Sequence, residues 1–174
     1  EGDSFDIDYV AHEMGHQLGA RHTYSYEYEG DGSSSVQVEP GSGSTIMGYA
    51  GVTKIYDVQK HSDPYFTYRS IKQIQNNLAT KTCLVSTTVV NATPVVDAGP
   101  NYTIPAGTAY ILKGSATDAD GDALTYCWEQ NDPIKNNSEL HQGANSEAYP
   151  EKLTGPNYRS FLPVNSPNRF MPEL

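Results

Sequence analysis

Two hydrophobic periods divide the chain. In the first half, Val10, Met14 and Leu18 recur at four-residue spacing with Ala11 beside them, which predicts a helix with one apolar face. Ser4 or Asp6 can cap its start, and Gly19 is placed to end it. Ile71, Ile74 and Leu78 share a face and predict a second helix over Ile71–Ala79, preceded by the capping-box pattern Ser70-Ile71-Lys72-Gln73. Residues 23–62 between them are expected to be mostly loop. Beyond residue 86 the texture changes. Ser86 to Pro94 reads as an extended linker. Short β-type runs follow at Pro94–Ala98, Tyr102–Ile104, Ala109–Lys113 and Leu124–Trp128, separated by turn residues. From Asn131 to Leu174 the chain is rich in Asn, Pro and Ser, with no periodic element.

Composition narrows the classes. Eleven Lys and Arg against 21 Asp and Glu give a formal charge of −10 over 174 residues. That excess excludes a nucleic-acid binder, since little could neutralise a row of phosphates. No apolar run reaches the ~18–20 residues of a membrane span. Gly, Pro, Ser, Thr and 13 Tyr are abundant and only 18% of residues are charged, a loop-rich and β-leaning balance. The first residue is Glu1, and no leader pattern follows, so a processed or excised product is expected. Cys83 and Cys127 allow one internal disulfide at most and leave the redox compartment open.

Candidate chemistry lies in His12-Glu13-Met14-Gly15-His16-Gln17-Leu18-Gly19-Ala20-Arg21-His22. On a helix, His12 and His16 are neighbours on one face, so both imidazoles can reach one Zn²⁺. Glu13 lies near that metal without binding it, which suits a general base acting on zinc-activated water. A continuing helix would carry His22 away. Gly19 can take the left-handed conformation that turns the chain back, so His22 can be the third ligand. Three His ligands leave a fourth position open, the arrangement of a catalytic zinc.

This pattern resembles the H-E-x-x-H-x-x-G-x-x-H signature of the metzincin zinc endopeptidases. Ser44-Thr45-Ile46-Met47-Gly48-Tyr49 is similar to the family's Met-turn. The resemblance implies that Met47 forms an apolar floor under the imidazoles. It also implies that Tyr49 can bind zinc at rest and then swing to stabilise the tetrahedral intermediate, as in the astacin-like and serralysin-like branches. Thr23 after the third His departs from those branches and from the Asp usual in reprolysins. The text as a whole, including Ser62-Asp63-Pro64-Tyr65-Phe66, is most similar to bacterial reprolysin-like peptidases. His61 and His141 have no partner at ligand spacing and read as loop histidines. Glu27, Glu29, Asp31 and Glu39 read as a solvated acidic loop, with a calcium site or a rim repelling acidic substrates as the sharper alternative.

Such catalytic domains carry a twisted sheet before the zinc helix, whose edge strand pairs with substrate. At most about ten residues precede that helix here. The resemblance therefore covers only the C-terminal part of a catalytic domain: zinc helix, Met-turn and C-terminal helix. Two expectations follow. The apolar face of Val10, Met14 and Leu18 is exposed, and the missing N-terminal part lies upstream or in another chain, so this chain alone is a poor protease.

Residues about 94–130 resemble the opening of a PKD-like, immunoglobulin-like module of secreted bacterial hydrolases. Trp128 is then expected between the sheets, with Cys127 facing the other way. Asp118, Asp120 and Asp122 around Gly121 suggest a calcium loop, against the plainer reading of an Asp-Gly turn.

The expected fold class is α+β: a partial metzincin catalytic domain over residues 1–88, then an all-β immunoglobulin-like sandwich module, possibly incomplete, over 89–174. The expected activity is zinc-dependent hydrolysis of peptide bonds in a protein or peptide substrate, within a larger secreted protein. His12, His16 and His22 hold Zn²⁺; Glu13 and Tyr49 are catalytic; Ca²⁺ is a further cofactor candidate at Asp118, Asp120 and Asp122. The alternative is a non-catalytic adhesion module carrying an inert zinc-binding peptidase remnant.

Overall fold

The structure, a computed structural model, describes residues 2–29, 35–134 and 147–172. His141 and Asp31 lie outside the described residues. The chain forms two compact units: Glu1–Thr82 with Glu129–Leu162, and Cys83–Trp128 with Pro163–Glu173. A single cut near residue 88 therefore does not describe the packing. The chain leaves the first unit at Thr82 and returns to it at Glu129.

The first unit opens with α1 (Asp3–Phe5), a π-helical stretch (Asp6–Ala11) and α2 (His12–Gln17) in direct succession. The helix begins ahead of both expected capping residues. Its end follows the sequence reading. Gly19, at φ +101°, lets its own N–H reach His16 O (2.9 Å) and the Ala20 N–H reach Gly15 O (2.9 Å), a Schellman closure that satisfies two orphan carbonyls. The helix face carrying Val10 and Met14 is exposed, with Met14 at 57%. The buried face is instead Ile7, Ala11 and Gly15, packed toward Ala20, Ile46, Met47, Phe66 and Ile74. The exposure of Val10 and Met14 agrees with the expectation, while Ala and Gly are too small for the buried face to stand out in a hydrophobic pattern. A Cβ on Gly15 would collide with the Met47 sulfur, so the close approach requires glycine.

The second helix, α3, spans Tyr68–Leu78 rather than Ile71–Ala79. Thr67 is its cap: the residue is extended, and its side chain accepts from Ser70 N at 3.2 Å. Ser70 sits in the first turn, fully buried, instead of at the cap. The Tyr68 N–H donates to Glu129 Oε2 at 2.9 Å, so a residue distant in sequence satisfies a second orphan amide. The far end of α3 holds the end of α2. Asn77 Nδ2 donates to Leu18 O (2.7 Å), and Gln73 Oε1 accepts from Arg21 N (3.0 Å).

Residues 23–29 and 35–62 are mostly irregular, as expected, and include a 3-10 turn at Lys54–Tyr56. Yet much of this stretch is interior, including Val36, Val38, Ile46 and Met47. The described parts of the return segment, 129–134 and 147–162, are irregular too. Ile134 is buried and donates its N–H to Gln37 O (3.2 Å), while Gln130 Oε1 accepts from Asn157 N and Tyr158 N.

In the second unit, β1 (Val95–Asp97) pairs antiparallel with β3 (Ser115–Thr117), and β2 (Tyr110–Lys113) with β4 (Asn168–Met171). Among the described residues, Tyr102–Ile104 joins no ladder, and Leu124–Trp128 contributes only a bridge between Tyr126 and Val164. β3 and β4 were not anticipated. Trp128 is half-buried; its Nε1–H donates to Pro167 O at 2.9 Å, and Arg169 Nη1 donates to its carbonyl at 2.9 Å. Cys83 and Cys127 are exposed and not bonded to one another. The mixture of helices and small sheets is compatible with an α+β class. Among the described residues no helix is long and apolar enough to cross a membrane.

Candidate metal centre

The three histidines arrive by different routes. His12 opens α2 and is buried; His16 lies one turn on; His22 returns from the Schellman closure. One ring nitrogen of each lies within 4.8 Å of the others'. The Nδ1 atoms are engaged elsewhere. His12 Nδ1–H donates to Ile46 O (2.7 Å), His16 Nδ1–H to Ala20 O (2.9 Å), and His22 Nδ1–H to the Glu29 carboxylate. A carbonyl can only accept, so the first two bonds fix the tautomer and leave Nε2 as a lone-pair donor. His16 and His22 bring their Nε2 atoms to 3.0 Å. Two lone pairs facing at that distance repel unless a cation lies between them. The donor set therefore fits a three-imidazole zinc site. Burial first of all, together with neighbouring His16 and His22, lowers the His12 pKa, which favours the neutral, ligating form.

Met47 is fully buried beside Gly15 and Phe66. Its turn closes through Gly48 N to Thr45 O (2.9 Å) and Tyr49 N to Ser42 O (2.7 Å). Met47 O accepts from Thr23 N at 3.1 Å, tying the turn to the residue after His22. The ring of Tyr49 lies 5.5 Å from His12 and 4.5 Å from His22, centroid to centroid. Burial, then the charges of Glu29 and Glu13, raise the Tyr49 pKa and keep the phenol protonated.

Glu13 is exposed on α2, next to His12. Both line a cleft of about 510 Å³ whose walls include Phe5, Tyr9, Tyr49 and Val52. Asp8 and His61 face the same cleft. His61 Nδ1 is 2.7 Å from Asp8 Oδ2, and Ser62 N donates to Asp8 Oδ1 at 2.7 Å. His61 thus has a partner that ligand spacing could not reveal.

The acidic loop is not uniformly solvated. Glu39 is buried and accepts from Ser44 N (2.9 Å), Thr45 N (3.1 Å), Thr45 Oγ1 (2.7 Å) and the Thr23 hydroxyl. It braces the turn that carries Met47, and Thr23 serves it rather than replacing a carboxylate. Glu29 accepts from His22 and from the Tyr24 hydroxyl. Burial alone would push its carboxyl up; those two bonds outweigh it and hold the pKa below the usual range. Burial and the same bond raise the Tyr24 phenol. Glu27 is exposed. The sequence carried no signal that separates these acids beyond the Ser and Thr residues clustered near Glu39.

Asp118, Asp120 and Asp122 belong to the second unit and do come together, within 4.8 Å. Asp118 Oδ1 accepts from Asp120 N (2.8 Å) and Asp122 N (3.2 Å). These are the bonds of a turn, and they account for the cluster without calcium.

Three histidines with anchored Nδ1 atoms and one ring nitrogen each in close approach could hold one metal ion. Residues 1–83 match the family described as metallo-peptidase family M12B, reprolysin-like. The match supports a metallopeptidase family for this part of the chain, and zinc as its metal. No curated protein and no solved structure matches the chain.

Proposed function

We propose that residues 1–83 form part of a metzincin-type zinc endopeptidase that hydrolyses peptide bonds, within a larger secreted protein. The observation that carries this reading is the convergence of one ring nitrogen from each of three histidines, each with its Nδ1 anchored, with His12 and Glu13 lining an open cleft. Zinc held by His12, His16 and His22 would supply Lewis acidity toward water and the scissile carbonyl. Glu13 removes a proton from the attacking water and delivers it to the leaving amine. The protonated phenol of Tyr49 donates to the developing oxyanion. Phe5, Tyr9 and Val52 give the cleft apolar walls for a side chain flanking the bond. The exposed face of Val10 and Met14 is the surface on which the remaining, sheet-bearing part of the catalytic domain packs. The strands of the second unit form an immunoglobulin-like module.

Glu13→Gln keeps the ligands and removes the base. Zinc content by elemental analysis should stay at the wild-type level while peptide cleavage, measured on a longer chain carrying the preceding part of the domain, falls by at least 100-fold. Retained turnover would refute the role of Glu13.

A further inference from the structure

His12 and His16 are oriented by backbone carbonyls of the buried Met-turn and of the Schellman closure. His22 is different. It lies beyond the helix, in irregular chain, and its Nδ1–H has a side-chain acceptor, Glu29. The same carboxylate oxygen accepts from the Tyr24 hydroxyl. Tyr24 is buried and stacks on the His22 ring, with centroids 4.9 Å apart and planes 24° apart. It also packs against Tyr49 at 4.8 Å. One face and one edge of the third imidazole are thus set by Tyr24 and Glu29 together.

We propose that Glu29 is a positioning residue for the metal centre, aiming His22 through its Nδ1–H and stiffening that aim through Tyr24. The inference rests on the zinc reading above. A charged acceptor on Nδ1 fixes the ring tautomer and makes Nε2 a better donor, and losing such a partner typically costs about 10–100-fold in metal affinity. Glu27, two residues earlier and exposed, hydrogen-bonds the Tyr26 phenol and is the acid for comparison.

The test is a zinc titration of the full metal-free chain against a chromophoric chelator, followed by the visible spectrum of the Co²⁺ form. Wild type is expected to bind one zinc per chain. Glu29→Ala should bind about 10–100-fold more weakly with a changed Co²⁺ spectrum. Glu29→Gln, which keeps an acceptor but loses the charge, should lose about tenfold, and Glu27→Gln should match wild type. If Glu29→Ala fails to fold, Glu29→Gln alone decides the matter. Wild-type affinity in the Glu29 variants overturns the role of Glu29 and leaves the zinc site standing. No stoichiometric zinc in the wild type overturns the zinc site itself, and this inference with it.

Discussion

The two units reach order by opposite means. Around the candidate metal centre, the interior is built from irregular chain: Val36, Gln37, Val38, Glu39, Ser44, Thr45 and Met47 are all buried, outside any helix or strand. In the second unit the β1–β3 ladder forms with little burial. All three residues of β1 are exposed, Val96 at 70%. Regular structure and burial are therefore separate properties here, and the site depends on the second. What fixes it is a set of side-chain acceptors that irregular chain must recruit, because its amides have no ladder to join.

Glu39 is the sharpest test of that contrast. Its carboxylate satisfies two backbone amides and two hydroxyls in a water-poor setting. Glu39→Ala leaves those donors unpaired, at about 1–3 kcal/mol for each that water cannot reach. A destabilisation of about 3–5 kcal/mol is expected, read as a lower denaturant midpoint at unchanged slope, with loss of zinc affinity. A change below about 1 kcal/mol would mean that the Met-turn holds its shape without Glu39.

The histidine cluster was legible and its supports were not, for a physical reason. His12, His16 and His22 sit within eleven consecutive residues, so helix geometry and one glycine place them. Glu39 and Glu29 act only after the loop closes, and an acid bound for the interior looks like one bound for solvent until its donors arrive. α3 shows the same limit: Ser70 matched a capping pattern, but Thr67 three residues earlier took the cap and left Ser70 buried. β4 was invisible because Asn168–Met171 alternates weakly and pairs with a strand more than fifty residues away.

Lys152 sharpens the comparison at the irregular return segment. Burial pushes its pKa down to about 8, while its ammonium donates to Glu147 O (3.1 Å) and Pro156 O (2.5 Å). Between about pH 8 and the ordinary value of 10.5, the unfolded chain binds more protons at this site than the folded one. Stability contributed here therefore rises with pH across that window. Lys152→Met keeps the apolar stem and cannot titrate. Melting curves from pH 7.5 to 10 should show wild type gaining on the variant as pH increases. Parallel profiles would place this lysine in contact with water and weaken the case that irregular segments of the first unit bury their polar groups.

The smallest effect is expected where regular structure is most evident. Val96 lies at the centre of β1, paired with Ala116 of β3. Val96→Thr keeps the β-branch that suits a strand and exchanges one exposed methyl for a hydroxyl. If β1 is held by its ladder alone, thermal stability should shift by no more than about 0.5 kcal/mol. A loss above 1 kcal/mol would show that this face of β1 is covered in solution, since only burial makes that hydroxyl costly. The contrast between the two units would then narrow: the ladder, like the metal centre, would owe its order to what packs against it.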